Sequence, residues 1–529
     1  MGKFWREYWE QVAVGVVVAA AVATYSAGVV GLPQRYNSPD EAANAFFARR
    51  VAAGQGLAVP APRNQVAGEP IVHPRSTLVL RGSLAPASFL GFPLVAGFLA
   101  GVFGFGLLPF ITPLASVIGL LSFYGLIKRL SGTRAALVGV LLLAALPAFW
   151  YYHSRSFFHN ALFFDLLLLA AYLLDRALVA RRYLLYLAAG LALGLALALR
   201  TSEVFWVLTA GTVWLAARYH ELYWRGLILA TLGALFAFSP VFVANYQLYG
   251  SVLSVGYQQN LVVAGAGFRQ TASLMGELVL PFGFHPSHIA GTVGSFLLSL
   301  TWWWTLMVLA GTAYLAYHWR ELTRAERNFA AVVAVVGVWL ITVYGSWRFH
   351  DNPDPSQVTL GTSYQRYWLP FTALALWPAA RACAGGLKLR WGKYVAVSVI
   401  GCFVVLSWNL VLNEPQEGLR QVRANVRRFE STAQAVRALV PEGSVIVSGI
   451  TDKFFWPERD VVLDLVRPAD YRAVERLLAR NVPVFWFHPT WVPSDLARVN
   501  QRLSYYGLEL VPGAHGFQGF SLYVFLPTP

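Results

Sequence analysis

Long apolar runs separated by short polar or basic stretches set the pattern of this chain. Val12–Val30, Leu108–Ile127, Ile228–Ala244, Thr292–Leu315 and Tyr394–Leu412 are each about long enough to cross a bilayer as a helix. Shorter apolar segments at 135–150, 161–175, 183–199, 204–217, 328–346 and 367–380 lie between them. One such run could be a buried core helix. So many cannot be, and the pattern predicts a polytopic α-helical membrane protein. The first helix, about 11–32, has a basic flank like a signal peptide but a long apolar run and no convincing cleavage site, so it reads as a retained span.

Basic clusters orient the helices. Lys3 and Arg6 place the N-terminus inside. The same rule places Lys128, Arg129 and Arg134 inside, then Arg176, Arg181 and Arg182, Arg218 and Arg225, Arg320, Arg324 and Arg327, and Arg381, Lys388, Arg390 and Lys393. One threading satisfies them all: eleven spans, with outer loops at 246–291 and 347–366. It leaves residues 84–106, apolar but rich in Gly and with two Pro, as a re-entrant or interface-lying part of the first outer loop, 34–107.

After residue 412 the pattern changes to that of a small α/β domain lying outside. Helical spacing over 416–439 is followed by a strand at 445–448 and a second at 461–465. A helix at 469–480, a strand at 483–487, a helix at 493–503 and a strand at 519–526 complete it. At ~115 residues, 413–529 is large enough to fold as its own unit, beside a membrane domain of 1–412.

Composition agrees. The chain is 57% hydrophobic and 13% charged, against the quarter charged of soluble domains, and its Trp and Tyr suit the headgroup level. The net charge of +15 is spread over loop clusters rather than a groove, so nucleic acid is excluded as a partner and a plasma-membrane location is expected. Cys383 and Cys402, about twenty residues apart in or beside spans, read as packing thiols.

Candidate chemistry gathers at the outer edge. In Tyr36-Asn37-Ser38-Pro39-Asp40-Glu41-Ala42, Pro39 suits a helix start and places Asp40 and Glu41 in the first turn, where the dipole favours carboxylates. This is either a capped helix or a fixed carboxylate ready to accept a proton. His73-Pro74-Arg75, then Tyr151-Tyr152-His153-Ser154-Arg155 with His159 and Asn160, then Arg200-Thr201-Ser202-Glu203 are further polar stretches. The last runs from Trp347-Arg348-Phe349-His350 to Tyr364-Gln365-Arg366-Tyr367. Outer arginines run against the usual charge bias, and a lipid-linked phosphate would give them a task. Asp165 is the one acid well inside an expected span, and reads equally as a structural or a functional carboxyl.

An early outer Ser-Pro-Asp-Glu, a Pro-rich stretch, Arg-Tyr-x-x-Pro before a late span and an outer C-terminal domain resemble the GT-C superfamily of polyprenyl-phosphate-dependent glycosyltransferases. Within it, the chain is similar to glycosyltransferase family 39, which includes protein O-mannosyltransferases and lipid A aminoarabinose transferases. The resemblance covers roughly 11–412. It implies a catalytic base at Asp40 with Glu41 as neighbour, and basic residues at Arg200 and Arg366; these two, joined by Arg75 or Arg348 from the outer segments, are the expected donor-phosphate ligands. His73, Arg155, His159, Glu203, His350 and Tyr364 are further candidates for substrate contact. The chain departs from the family at His73-Pro74-Arg75-Ser76, which stands for a His-Pro-Pro-Leu-like stretch, and it lacks a first-loop Asp-x-Asp. Trp302-Trp303-Trp304-Thr305 also differs from the Trp-Trp-Asp of oligosaccharyltransferases.

The expected reaction is transfer of a monosaccharide from a polyprenyl phosphate to an acceptor hydroxyl at the outer face, with inversion. The acceptor is a protein, a lipid or a glycan. A divalent metal is compatible with the sequence but not required by it. Two other classes remain open at this point: a multi-span transporter, which would need a polar midplane site, and a scaffold that presents 413–529 to a partner.

Overall fold

The structure is a computed structural model that describes residues 2–257, 280–349, 351, 354 and 356–528, with side chains from Tyr8 onward. It divides into two compact units, Met1–Val30, Pro109–Val241 and Arg269–Val422 forming the first, and Gly31–Leu108, Phe242–Phe268 and Arg423–Pro529 the second.

The first unit is helical. Among the described residues five helices are long and apolar enough to cross a membrane: Tyr8–Ala27, Phe105–Ser131, Trp224–Tyr249, Arg324–Gly345 and Gly392–Asn413. The total is up to eight if three bent pairs each count once, so length and apolarity alone fall short of the eleven spans expected from the sequence. The difference lies in short and broken helices. Thr133–Ala145 meets Pro147–His153 at 58°, Tyr183–Leu199 meets Thr201–Ala216 at 115°, and Pro286–Leu300 meets Trp302–Tyr317 at 96°. Expected span 367–380 is split into Ser363–Tyr367, Leu369–Leu374 and Leu376–Gly386. Pro147 and Pro370 sit in the first turn of their helices, where a missing N–H costs nothing and a new direction can begin.

Small residues let the helices approach. Tyr183–Leu199 carries Gly190 and Gly194 four apart, against the helix Trp224–Tyr249. A Cβ at Gly190 would fall 1.9 Å from the Ala230 carbonyl oxygen, and one at Gly194 2.2 Å from that of Ala234. Backbone-to-backbone packing of this kind replaces the hydrophobic drive that helices lack in lipid.

The second unit joins Gly31–Leu108 to the C-terminal residues. Strands β1 (Val59–Pro60), β2 (Thr77–Leu80) and β3 (Ser83–Pro86) form a small antiparallel sheet in the order β1-β3-β2. Strands β4 (Val445–Val447), β5 (Asp460–Val462), β6 (Val484–Pro489), β7 (Leu508–Phe517) and β8 (Phe520–Pro527) form a mixed sheet in the order β5-β4-β6-β8-β7. β4 pairs in parallel with both β5 and β6.

The helices Leu419–Leu439, Pro468–Ala479 and Pro493–Ser504 match those expected, as do four of the five strands. β7 was not expected, because Pro512, Gly513 and Gly516 break its pattern. As an edge strand with two register shifts against β8 it tolerates them. Ala67, Ile71 and Val72 share one buried cluster with Val445, Val462, Leu477 and Tyr523. Leu84 shares another with Ile446, Phe455 and Phe487.

Residues 84–106 form β3 and then the helix Gly91–Phe103. Its 13 residues reach about 20 Å, short of the ~30 Å hydrocarbon core. Phe98, Val102 and Phe103 are exposed along it.

Candidate functional site

In the first unit every residue from Ala145 to Leu166 is buried, including the expected polar stretch Tyr151–Asn160. The turn between Pro147–His153 and His159–Ala180 places Phe157 at φ +69°, a left-handed conformation that costs a bulky residue energy and is held here by the surrounding contacts. Thr112 donates to the Arg155 carbonyl at 2.8 Å, and Ser156 to the Pro109 carbonyl at 2.9 Å.

Three guanidiniums alternate with two rings at this turn. Arg155 lies 4.8 Å from the Phe158 ring centre, and Arg366 5.4 Å from the same ring. Arg366 is also 5.2 Å from the Tyr367 ring, and Arg200 is 4.5 Å from it. Cations stacked on ring faces in a dry setting gain from the ring quadrupole. Arg155 Nη1 donates to the Tyr151 hydroxyl at 2.7 Å, and Arg366 Nη2 to Ser363 Oγ at 2.8 Å. Ser363 in turn is bound to Asp351 through its N–H (2.7 Å) and its hydroxyl (3.1 Å). Asn160 Nδ2 reaches the Arg366 carbonyl at 3.5 Å, and Tyr364, buried, meets His288 Nε2 at 3.0 Å.

Arg200 and Glu203 pair at the 115° break between two helices. Arg200 Nε donates to Glu203 Oε1 at 2.9 Å, and Trp206 Nε1 and the Tyr344 hydroxyl donate to the same carboxylate. Arg200 Nη1 faces His159 Nε2 at 2.9 Å, and since arginine can only donate, His159 accepts there and is neutral with its proton on Nδ1. The Arg200 charge is therefore already matched by a carboxylate. Arg348 is exposed, and His350 lies outside the described residues.

In the second unit Ser38 caps the helix Pro39–Ala52 through a capping box, with Glu41 Oε2 accepting from the Ser38 N–H at 2.9 Å. Buried Glu41 is committed to that cap, whereas partly exposed Asp40 accepts from Ser76 Oγ at 2.6 Å. Arg75 makes a two-point pair with Asp452, Nε at 3.0 Å and Nη2 at 2.7 Å, and its backbone N–H meets Asp452 Oδ2 at 2.8 Å. His73 is largely buried. Burial pushes its pKa down, against the opposing pull of the Pro74 carbonyl and Asp452.

Sequence reasoning did not single out Phe158, Tyr344, Asp351 or His288, which complete the first cluster, or Asp452 in the second. Tyr367 was visible beside Arg366. The others carry no signal until distant segments meet.

Laid beside solved structures, the chain matches the crystal structure of ArnT from Cupriavidus metallidurans bound to undecaprenyl phosphate over 97% of both chains, with a TM-score of 0.51 and 13% identity. The architecture is ArnT-like. The apo form of ArnT from the same organism matches over the same share, with a TM-score of 0.49 and 13% identity. The family described as dolichyl-phosphate-mannose-protein mannosyltransferase matches residues 90–243, a span that holds Arg155, His159, Arg200 and Glu203. No curated protein matches the chain. The ArnT-like fold at 13% identity carries the architecture, and the chemistry has to be argued from the residues.

Proposed function

We propose that this membrane protein is a glycosyltransferase that moves a monosaccharide from a polyprenyl-phosphate donor to an acceptor hydroxyl, with inversion at the anomeric carbon. The observation that carries the reading is the arginine–aromatic ladder of Arg155, Phe158, Arg366, Tyr367 and Arg200, in which Arg155, Phe158 and Arg200 are buried and Arg366 and Tyr367 half-buried. Glu203 fixes Arg200, and Asp351 holds Ser363, which accepts from Arg366; three guanidiniums gathered in one cluster are the groups that best recognise a phosphate.

Arg366 and Arg155 are the proposed phosphate ligands. Arg200 serves beside them as a cation whose position Glu203 fixes. Arg75 leaves the set, because Asp452 holds its guanidinium. Fixed donors that stabilise the departing phosphate act by electrostatic catalysis, commonly the strongest single contribution an enzyme makes to lowering a barrier of this kind.

Asp40 is the proposed base. Its carboxylate would take the acceptor proton as the hydroxyl oxygen attacks the anomeric carbon and the bond to the phosphate oxygen breaks. Glu41 serves as the helix cap that orients this turn. The eleven-span threading, with the N-terminus inside and 413–529 outside, belongs to the same proposal and places Asp40 on the outer face. The polyprenyl phosphates named for the compared proteins, dolichyl-phosphate mannose and undecaprenyl phosphate, define the class to test.

The test is transfer of radiolabelled sugar in membranes from polyprenyl-phosphate mannose and polyprenyl-phosphate aminoarabinose, by the intact protein and by Asp40→Asn at matched expression. Transfer that collapses in the variant is expected. Transfer that survives in the variant removes Asp40 as base, and no transfer by the intact protein overturns the reading.

A further inference from the structure

The four residues that follow the turn after β4 reach back to both sides of Asp40. The helix Asp452–Phe455 is anchored in the sheet core by Phe455, fully buried, and Phe454. Its first residue, Asp452, is 1% exposed and holds Arg75 by backbone and guanidinium, and Arg75 Nη2 also donates to the Ile450 carbonyl at 2.6 Å. The next residue along from Arg75 is Ser76, whose hydroxyl donates to Asp40 Oδ1 at 2.6 Å. Lys453 Nζ donates to the Asn37 carbonyl, at the entry to the Asp40 helix.

Ser76 adopts φ +59°, a left-handed conformation unfavourable for a residue with a side chain. A glycine would sit there at no cost, so a serine there keeps its hydroxyl at the expense of strain. The strain is tolerated because the neighbouring N–H of Arg75 is clamped to Asp452.

We propose that Asp452 is a positioning residue for the Asp40 carboxylate, acting through Arg75 and Ser76, so that the C-terminal sheet sets the geometry of the base. This rests on the reading of Asp40 as base given above. A hydrogen bond donated to a carboxylate favours its charged form, the one a base needs. Loss of either Asp452 or the Ser76 hydroxyl therefore misplaces the carboxylate and makes it easier to protonate.

The experiment compares Asp452→Asn, Ser76→Gly, the double variant and Asp40→Asn in the full-length protein, with the polyprenyl-phosphate donor that the intact protein uses. Donor KM, kcat across pH and thermal stability in detergent are read for each. Asp452→Asn and Ser76→Gly should each lower kcat about ten-fold, within the range that small misplacements produce. Donor KM should be unchanged and the acid limb of kcat should move to higher pH. The double variant should lose little more than either single one, because both changes act on one chain of contacts. Ser76→Gly relieves the strained φ, so its stability should hold or rise while its rate falls, which a purely structural role would not produce. Unchanged kcat and an unmoved acid limb in Ser76→Gly, with Asp40→Asn inactive, overturn the inference and leave the base in place. Loss of stability without loss of kcat per folded molecule in Asp452→Asn overturns it too. Full transfer by Asp40→Asn overturns the base and the inference with it.

Discussion

Asp165 and His153 show how a buried charge is accommodated inside the helical unit. Both side chains are fully buried, His153 Nε2 lies 2.8 Å from Asp165 Oδ2, and His153 Nδ1 lies 2.7 Å from the Phe149 carbonyl. A carbonyl can only accept, so Nδ1 donates to it. The contact to Asp165 then needs one more proton, carried on either partner. Among the described residues Asp165 Oδ1 has no hydrogen-bond partner, and Gly119 leaves the space it occupies, since a Cβ there would fall 1.9 Å from that oxygen. Gly119→Ala should therefore displace the pair and cost about 1–3 kcal/mol, the range for overpacking, read as a lower melting temperature of the detergent-solubilised protein. A melting temperature equal to the parent would show that the helices can yield at this point. At the arginine ladder, Arg366→Ala should raise donor KM by about ten-fold or more and lower kcat, since a charge-assisted contact to phosphate is worth roughly 1.5–3 kcal/mol. An unchanged KM would remove Arg366 from the phosphate ligands.

Single elements show where local pattern is enough and where it is not. The capping box at Ser38 and Glu41 was legible because Ser-x-x-Glu with Pro at the first helical position is a local signal. The same logic applies at Thr323 and Glu326, which open the helix Arg324–Gly345. β7 was not legible, since its turn residues are compatible with an edge strand only once β8 is beside it. The loop 73–76 and strand β6 carry a pH signature. His73 and His488 are both held below the ordinary imidazole range, chiefly by burial, so their neutral forms are the native ones. Their contribution to stability is full above the unfolded value of about 6.5 and is lost as pH falls through their folded values. Thermal melting should thus drop as pH falls below about 6.5, and His73→Gln should flatten that slope. An unchanged slope in the variant would assign the acid sensitivity elsewhere.

Across the whole molecule, the second unit tests what a domain is. Residues 413–529 have the length and the alternating pattern of an independent α/β domain, yet Ala67, Ile71, Val72 and Leu84 complete their buried clusters, and buried Arg35 bridges Glu430 and Glu458 at 2.8 Å each. Residues 413–529 expressed alone should expose apolar surface and melt without cooperativity, and a fusion that restores 31–108 should recover a cooperative transition. A cooperative, compact 413–529 would refute this. By itself the sequence determined that the chain spans a membrane, where its basic loops fall, which residues open the Asp40 helix and most of the C-terminal strands. Each of these follows from periodicity or capping within a few residues, or from charge counted along the chain. Only the tertiary structure decided that Arg75 belongs to Asp452, 377 residues away, that Tyr344 reaches the Glu203 carboxylate paired with Arg200, and that Phe158 stands between Arg155 and Arg366. The physical reason is that an arginine has the same local signature whether its guanidinium meets a carboxylate, a ring or a ligand. Its partner is chosen by which distant segments pack together.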